Sequence, residues 1–138
     1  MDQKQAMLAR VSLFSGLNSR DLGKIAQLCD EVDLRSDFVL TREGASASEF
    51  FVIVTGAVRI DRGGQRLRDL GPGDYLGEMA LLTKGPRTAT ATTTEPSSVL
   101  VLTRTAFNQL LEEFPKIQDG ILRTMADRVK TLESDVPH

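Results

Sequence analysis

Between residues 31 and 103 the apolar side chains fall into short runs of period two, with glycine in most of the gaps. The runs are 38–40, 50–54, 58–60, 67–70, 88–94 and 99–102, each strand-sized and too short for a helix that packs on a core. Gly44, Gly56, Gly63, Gly64, Gly71 and Gly73 mark the corners, and Arg62-Gly63-Gly64-Gln65 reads as a hairpin tip. Many short strands joined by turns predict a β-barrel or jelly-roll, because a sheet curled on itself buries its apolar side.

The period changes to helical on both flanks. Residues 3–10 read as a polar helical lead-in and 11–17 as a turn with apolar anchors. Asn18 or Ser19 then caps a helix whose stripe is Leu22, Ile25, Ala26 and Cys29, with Gly23 weakening it slightly. After the strands, Thr103 reads as an N-cap for Phe107, Leu110, Leu111 and Phe114 at helical spacing, and Pro115 ends that helix or opens the next. The last helix carries Ile117, Ile121, Leu122, Met125, Val129 and Leu132, and the tail from Ser134 to His138 is expected to fray.

Composition removes several classes of function. A length of 138 residues suits one domain with its own core, and a net charge of -2 offers neither a basic field for nucleic acid nor a polybasic membrane patch. Direct nucleic-acid binding is not expected. Membrane association is not expected either: no apolar run approaches the ~18 residues of a bilayer span, and the polar N-terminus lacks a signal peptide's apolar core. Cys29, the only cysteine, excludes an internal disulfide and fits a reducing, cytoplasmic compartment; on the inner face of a helix it reads as a small buried hydrophobe. With His138 the only histidine, a β-barrel metalloenzyme of the cupin type is set aside, and neither a metal nor a cofactor is expected.

The chemistry gathers in residues 70–91. Glycines in Leu70-Gly71-Pro72-Gly73-Asp74-Tyr75-Leu76-Gly77 let the backbone take positive φ and approach a ligand closely. Residues 78–82 read as a short helix whose first amides, at the positive end of its dipole, favour an anion. Arg87 can hold two phosphate oxygens at once and stays charged at any working pH. Glu78, an acceptor only, suits a ribose hydroxyl, while Ala80 lets a ligand approach the turn. Thr88 can donate to a phosphate oxygen and accept from a base amino group. Alone, the same residues also fit turn glycines beside a structural Glu78–Arg87 ion pair.

The string Gly-Glu-x-Ala-Leu-Leu-x-x-x-Pro-Arg-Thr-Ala-Thr at 77–90 resembles the phosphate-binding cassette of the cyclic-nucleotide-binding domain family. That family includes catabolite-activator-type bacterial regulators, regulatory subunits of cAMP-dependent kinase and cyclic-nucleotide-gated channels. The resemblance extends over about residues 13–132. It implies a mainly β fold: an antiparallel β-roll, a double-stranded β-helix of jelly-roll type, with an N-terminal helix and two C-terminal helices. It also implies one domain over 1–138, with the roll at about 31–103 and the C-terminal helices at about 104–133.

Functionally the resemblance implies a non-catalytic sensor of cAMP, or of cGMP. Gly77, Glu78, Met79, Ala80, Arg87, Thr88 and Ala89 would hold the phosphate and ribose, and Ile60, Leu70 and Leu76 would line the base. Those last three also read as ordinary inward strand residues. A threonine at 88 admits both nucleotides, and single-domain bacterial relatives more often answer to cAMP. The implied output is movement of the final helix, whose stripe reads equally as packing on the roll or as a homodimer seam. The implied partners are the nucleotide, a second copy and an effector protein or fused domain. Three alternatives stand beside this: a β-roll scaffold that has lost its ligand and binds a protein, the sensor half of a transcription regulator, channel or enzyme, and a stand-alone binding protein, toward which the start at Met1 leans. A nucleotide hydrolase lacks both a metal-ligand cluster and an activated nucleophile.

Overall fold

The structure, a computed structural model, describes residues 3–77, 81 and 84–134. Helix α1 (Gln3–Ala9), a 3-10 turn (Ser12–Phe14) and α2 (Ser19–Leu28) lead into the strands β1 (Asp30–Leu34), β2 (Val39–Thr41), β3 (Glu49–Thr55) and β4 (Val58–Arg62). Strands β5 (Gln65–Leu70), β6 (Tyr75–Leu76), β7 (Thr90–Thr93) and β8 (Ser97–Thr103) follow, then helices α3 (Arg104–Glu113) and α4 (Pro115–Ser134). The described strands form two four-stranded sheets, ordered β1-β8-β3-β6 and β2-β7-β4-β5, with antiparallel pairing throughout. This alternation of strands between two sheets is the jelly-roll expected from the sequence.

The unbroken run Phe50-Phe51-Val52-Ile53 explains where the core sits. Successive strand residues face opposite sides, and here both sides are apolar. Phe50 and Val52 join a cluster with Phe14, Leu22, Phe107 and Ile121 from the helices, while Phe51 and Ile53 join a second cluster with Ile60, Leu70, Leu76 and Ala91 inside the roll. β8 divides the same way, with Leu100 and Leu102 toward the helices and Val99 toward the interior. The central strands of the first sheet are thus covered on both faces, and the roll keeps its own apolar interior.

The flanking helices start where their caps stand. Asn18 accepts from the Asp21 amide at 2.9 Å and Thr103 accepts from the Ala106 amide at 3.2 Å, each satisfying an amide that the helix leaves unpaired. At the other end of α2, Lys4 Nζ donates to the Cys29 and Ala26 carbonyls at 2.8 and 3.3 Å. At Gly23 of α2 a Cβ would lie 2.7 Å from Gln5 Nε2, so a larger residue there would displace the Gln5 amide from its place between the two helices. Pro115 opens α4, and Phe114 stands outside α3 as its C-cap.

Several expectations shift. β1 is a strand without an apolar run, four of its five residues being exposed, and β6 is only two residues long. The strand expected over 88–94 is confined to Thr90–Thr93, because the segment before it bonds elsewhere. Phe38 precedes β2 and is exposed, with the Arg35 guanidinium 5.8 Å from its ring. In the stripe of α4, Ile117 and Ile121 are buried whereas Leu122 is 49% exposed. The side chains of Met125, Val129 and Leu132 lie outside the described residues, as do residues 135–138 of the expected tail; Ser134 itself belongs to α4.

Candidate functional site

The turn at 71–74 is built by its own polar groups and stitched to β3. Asp74 accepts from the Gly71 amide at 2.8 Å, the Gly73 amide donates to the Ile53 carbonyl at 2.8 Å, and the Ile53 amide donates to the Asp74 carbonyl at 2.8 Å. This delivers β6 alongside Phe51 and Val52 and brings the chain to Gly77 at the edge of the roll's interior. Gly77 has φ +97°, and a Cβ there would lie 2.7 Å from Arg87 Nη1 and 2.8 Å from the Glu49 carbonyl oxygen. Only glycine fits, on both backbone and steric grounds.

Arg87 is buried, with 7% of its surface exposed. Its Nη2 donates to the Glu49 carbonyl at 2.7 Å, its Nη1 lies 3.5 Å from the Gly77 carbonyl, and the guanidinium carbon stands 5.7 Å from the centre of the Phe51 ring. Oriented carbonyls and an aromatic face stabilise a cation, and they fix the plane of the fork. The main chain is held as firmly: the Arg87 amide donates to the Ala45 carbonyl and the Gly44 amide donates to the Arg87 carbonyl, both at 2.8 Å. These bonds to the β2–β3 loop replace strand pairing at Arg87.

Ile60, Leu70 and Leu76 are buried together in the interior cluster, and Ala89 packs against it. Thr88 is exposed beside Arg87. Glu78, Met79 and Ala80 lie outside the described residues, as do Leu82 and hence the far end of the expected short helix; Leu81 is buried in the cluster under the helices. A buried guanidinium, a glycine backbone pressed against it and an apolar interior alongside can hold a compact anion bearing a flat apolar group. Among the described residues no cluster of His, Cys, Asp or Glu could hold a metal ion.

The sequence pattern described as the cyclic nucleotide-binding domain matches residues 31–114, which run from β1 through α3. The chain belongs to the cyclic nucleotide-binding domain family. Over 94% of its length it is 26% identical to a CRP-like cAMP-activated global transcriptional regulator of Mycobacterium tuberculosis, covering 60% of that protein. It is 30% identical to a cGMP-dependent protein kinase of Toxoplasma gondii over 98% of its own length and 13% of the kinase. Among solved structures, cAMP-bound PfPKA-R superposes with a TM-score of 0.87 at 25% identity, over 94% of this chain and 45% of that one. The chain therefore spans three fifths or less of each of these relatives.

Two contributors to this cyclic nucleotide-binding domain's cation site are absent from a reading of side-chain types. Glu49 acts through its carbonyl, to which residue identity gives no clue. Phe51 is one of two adjacent aromatics, and only the register of β3 against β8, with Phe51 opposite Val101, decides which faces the interior. No described helix is long and apolar enough to cross a membrane.

Proposed function

We propose that this domain is a non-catalytic sensor of a cyclic nucleotide, with cAMP as its first ligand and cGMP admitted. The observation that carries the reading is Arg87, a buried cation held by carbonyls at the edge of an apolar interior and against the backbone of Gly77. In this reading the cyclic phosphate sits on Arg87 and residues 77–80, Glu78 accepts from the ribose 2′-hydroxyl, and the base lies along Ile60, Leu70 and Leu76 beside Ala89. Thr88 adds its hydroxyl at the junction of phosphate and base. The preference for cAMP draws on the cAMP-activated regulator and the cAMP-bound regulatory subunit among the relatives, and the admission of cGMP on Thr88 and the cGMP-dependent kinase.

The output is a shift of α4 within one working unit of 138 residues. Leu122, 49% exposed on this helix, is a side chain that such a movement, or a second copy, would cover. The test is titration of cAMP and cGMP into protein refolded free of ligand, with amide exchange followed across α4. Saturable binding with changed exchange in residues 115–134 is expected. Absence of saturable binding with either nucleotide overturns the reading in favour of a scaffold for a protein partner.

A further inference from the structure

Resting on that reading, we propose that Arg62, supported by Glu43, is a positioning residue that sets nucleotide preference by fixing Thr88. The β4–β7 ladder ends at the pair Asp61 and Thr90, so that ladder gives no hold on residues 87–89. These are held by separate bonds outside it. Arg87 is bound to the 44–45 loop, the Ala89 carbonyl accepts from Thr41 Oγ1 at 3.0 Å, and between them the Thr88 carbonyl accepts from Arg62 Nε at 3.0 Å. Arg62 belongs to the hairpin tip and reaches Thr88 past the end of the ladder. The tip is itself anchored: the Gly63 amide donates to Glu43 Oε1 at 2.8 Å, and the Glu43 amide donates to Thr90 Oγ1 at 3.0 Å.

The network forms a closed path from hairpin tip to loop to β7 and back to Thr88. None of Arg62, Glu43 or Thr88 is buried, so the Thr88–Ala89 peptide is held by hydrogen bonds rather than by packing, and the bond on its carbonyl is the one from Arg62. The Thr88 hydroxyl is the group proposed to tell a guanine amino group from its absence. A peptide free to rotate would spread that hydroxyl over several directions and blunt the discrimination. Loss of one exposed hydrogen bond is a small effect, which suits tuning rather than anchoring.

The experiment measures cAMP and cGMP affinities for the full chain and for Arg62→Ala, Arg62→Lys, Thr88→Ala and the Arg62→Ala/Thr88→Ala double variant. Arg62→Ala should weaken cGMP by about threefold to tenfold and cAMP by less, with Arg62→Lys restoring much of the difference. In the Thr88→Ala background, adding Arg62→Ala should leave the cGMP-to-cAMP ratio unchanged, since the hydroxyl it orients is gone. Wild-type binding with an unaltered ratio in Arg62→Ala, or equal ratio changes in both backgrounds, would overturn this inference while leaving the sensor standing. A wild type that binds neither nucleotide overturns both.

Discussion

Arg87 and Gly77 are a matched pair: the guanidinium occupies the space that a side chain at 77 would need. Gly77→Ala should therefore destabilise the fold by about 2 kcal/mol or more in urea unfolding, through left-handed strain together with displacement of Arg87. An unchanged unfolding midpoint would show that the turn relaxes freely. Cys29 tests the other core. Burial pushes its thiol up to about 12, so at pH 8 it should resist an aromatic disulfide reagent in the folded protein and react on unfolding. The sign of the linkage follows: above pH 9 the unfolded chain loses the thiol proton that the folded chain retains, so stability falls between pH 9 and about 12. Cys29→Ala should flatten that fall. An equally steep decline in the variant would assign it to other groups. Both the arginine and the cysteine stood out in the sequence by residue type, whereas the Glu49 carbonyl that orients Arg87 did not, since every residue has one.

Elements followed the sequence wherever a face was apolar and a cap was present. α2 and α3 start at caps and bury Leu22, Ile25 and Ala26, and Phe107, Leu110 and Leu111, while Cys29 and Phe114 of the expected stripes stand just past the helix ends; Thr103→Ala should cost about 1 kcal/mol in thermal or chemical unfolding, and no measurable change would mean that the β8–α3 junction holds α3 without the hydroxyl. The hairpin at Arg62-Gly63-Gly64-Gln65 was legible because paired glycines at positive φ suit a two-residue connection. β1 was not, because its exposed sequence Asp-Glu-Val-Asp-Leu is made a strand by pairing with β8 rather than by an apolar face. The early end of the strand run at Thr90 has the same kind of cause. Residues 87–89 alternate well enough for a strand, yet a long-range bond to the Ala45 carbonyl and others from Gly44, Thr41 and Arg62 draw them out of the ladder. Sequence periodicity reports which faces can be buried, and it says little about which carbonyl a distant side chain will take.

At the scale of the molecule, two apolar clusters share β3 and β8: one is closed by helices, and the other is the roll's interior beside Arg87. In the proposed reading a ligand in that interior would touch the same strands whose far side carries α3, against which α4 packs, a physical route from occupancy to the helices. Binding only to the folded state should also stabilise the whole domain, by about 2.7 kcal/mol at a hundred times the dissociation constant. That corresponds to a rise of about 10 °C in melting temperature for a domain of this size. The most direct test is calorimetric titration of cAMP into ligand-free wild type and Arg87→Ala, with Arg87→Lys and thermal melting as controls for folding. Saturable binding to the wild type is expected, with a loss of about thirty- to several-thousand-fold in the folded Arg87→Ala variant, since truncating one partner of a buried charge pair costs about 2–5 kcal/mol. Equal affinity of wild type and variant would contradict the role of Arg87 as the phosphate's partner.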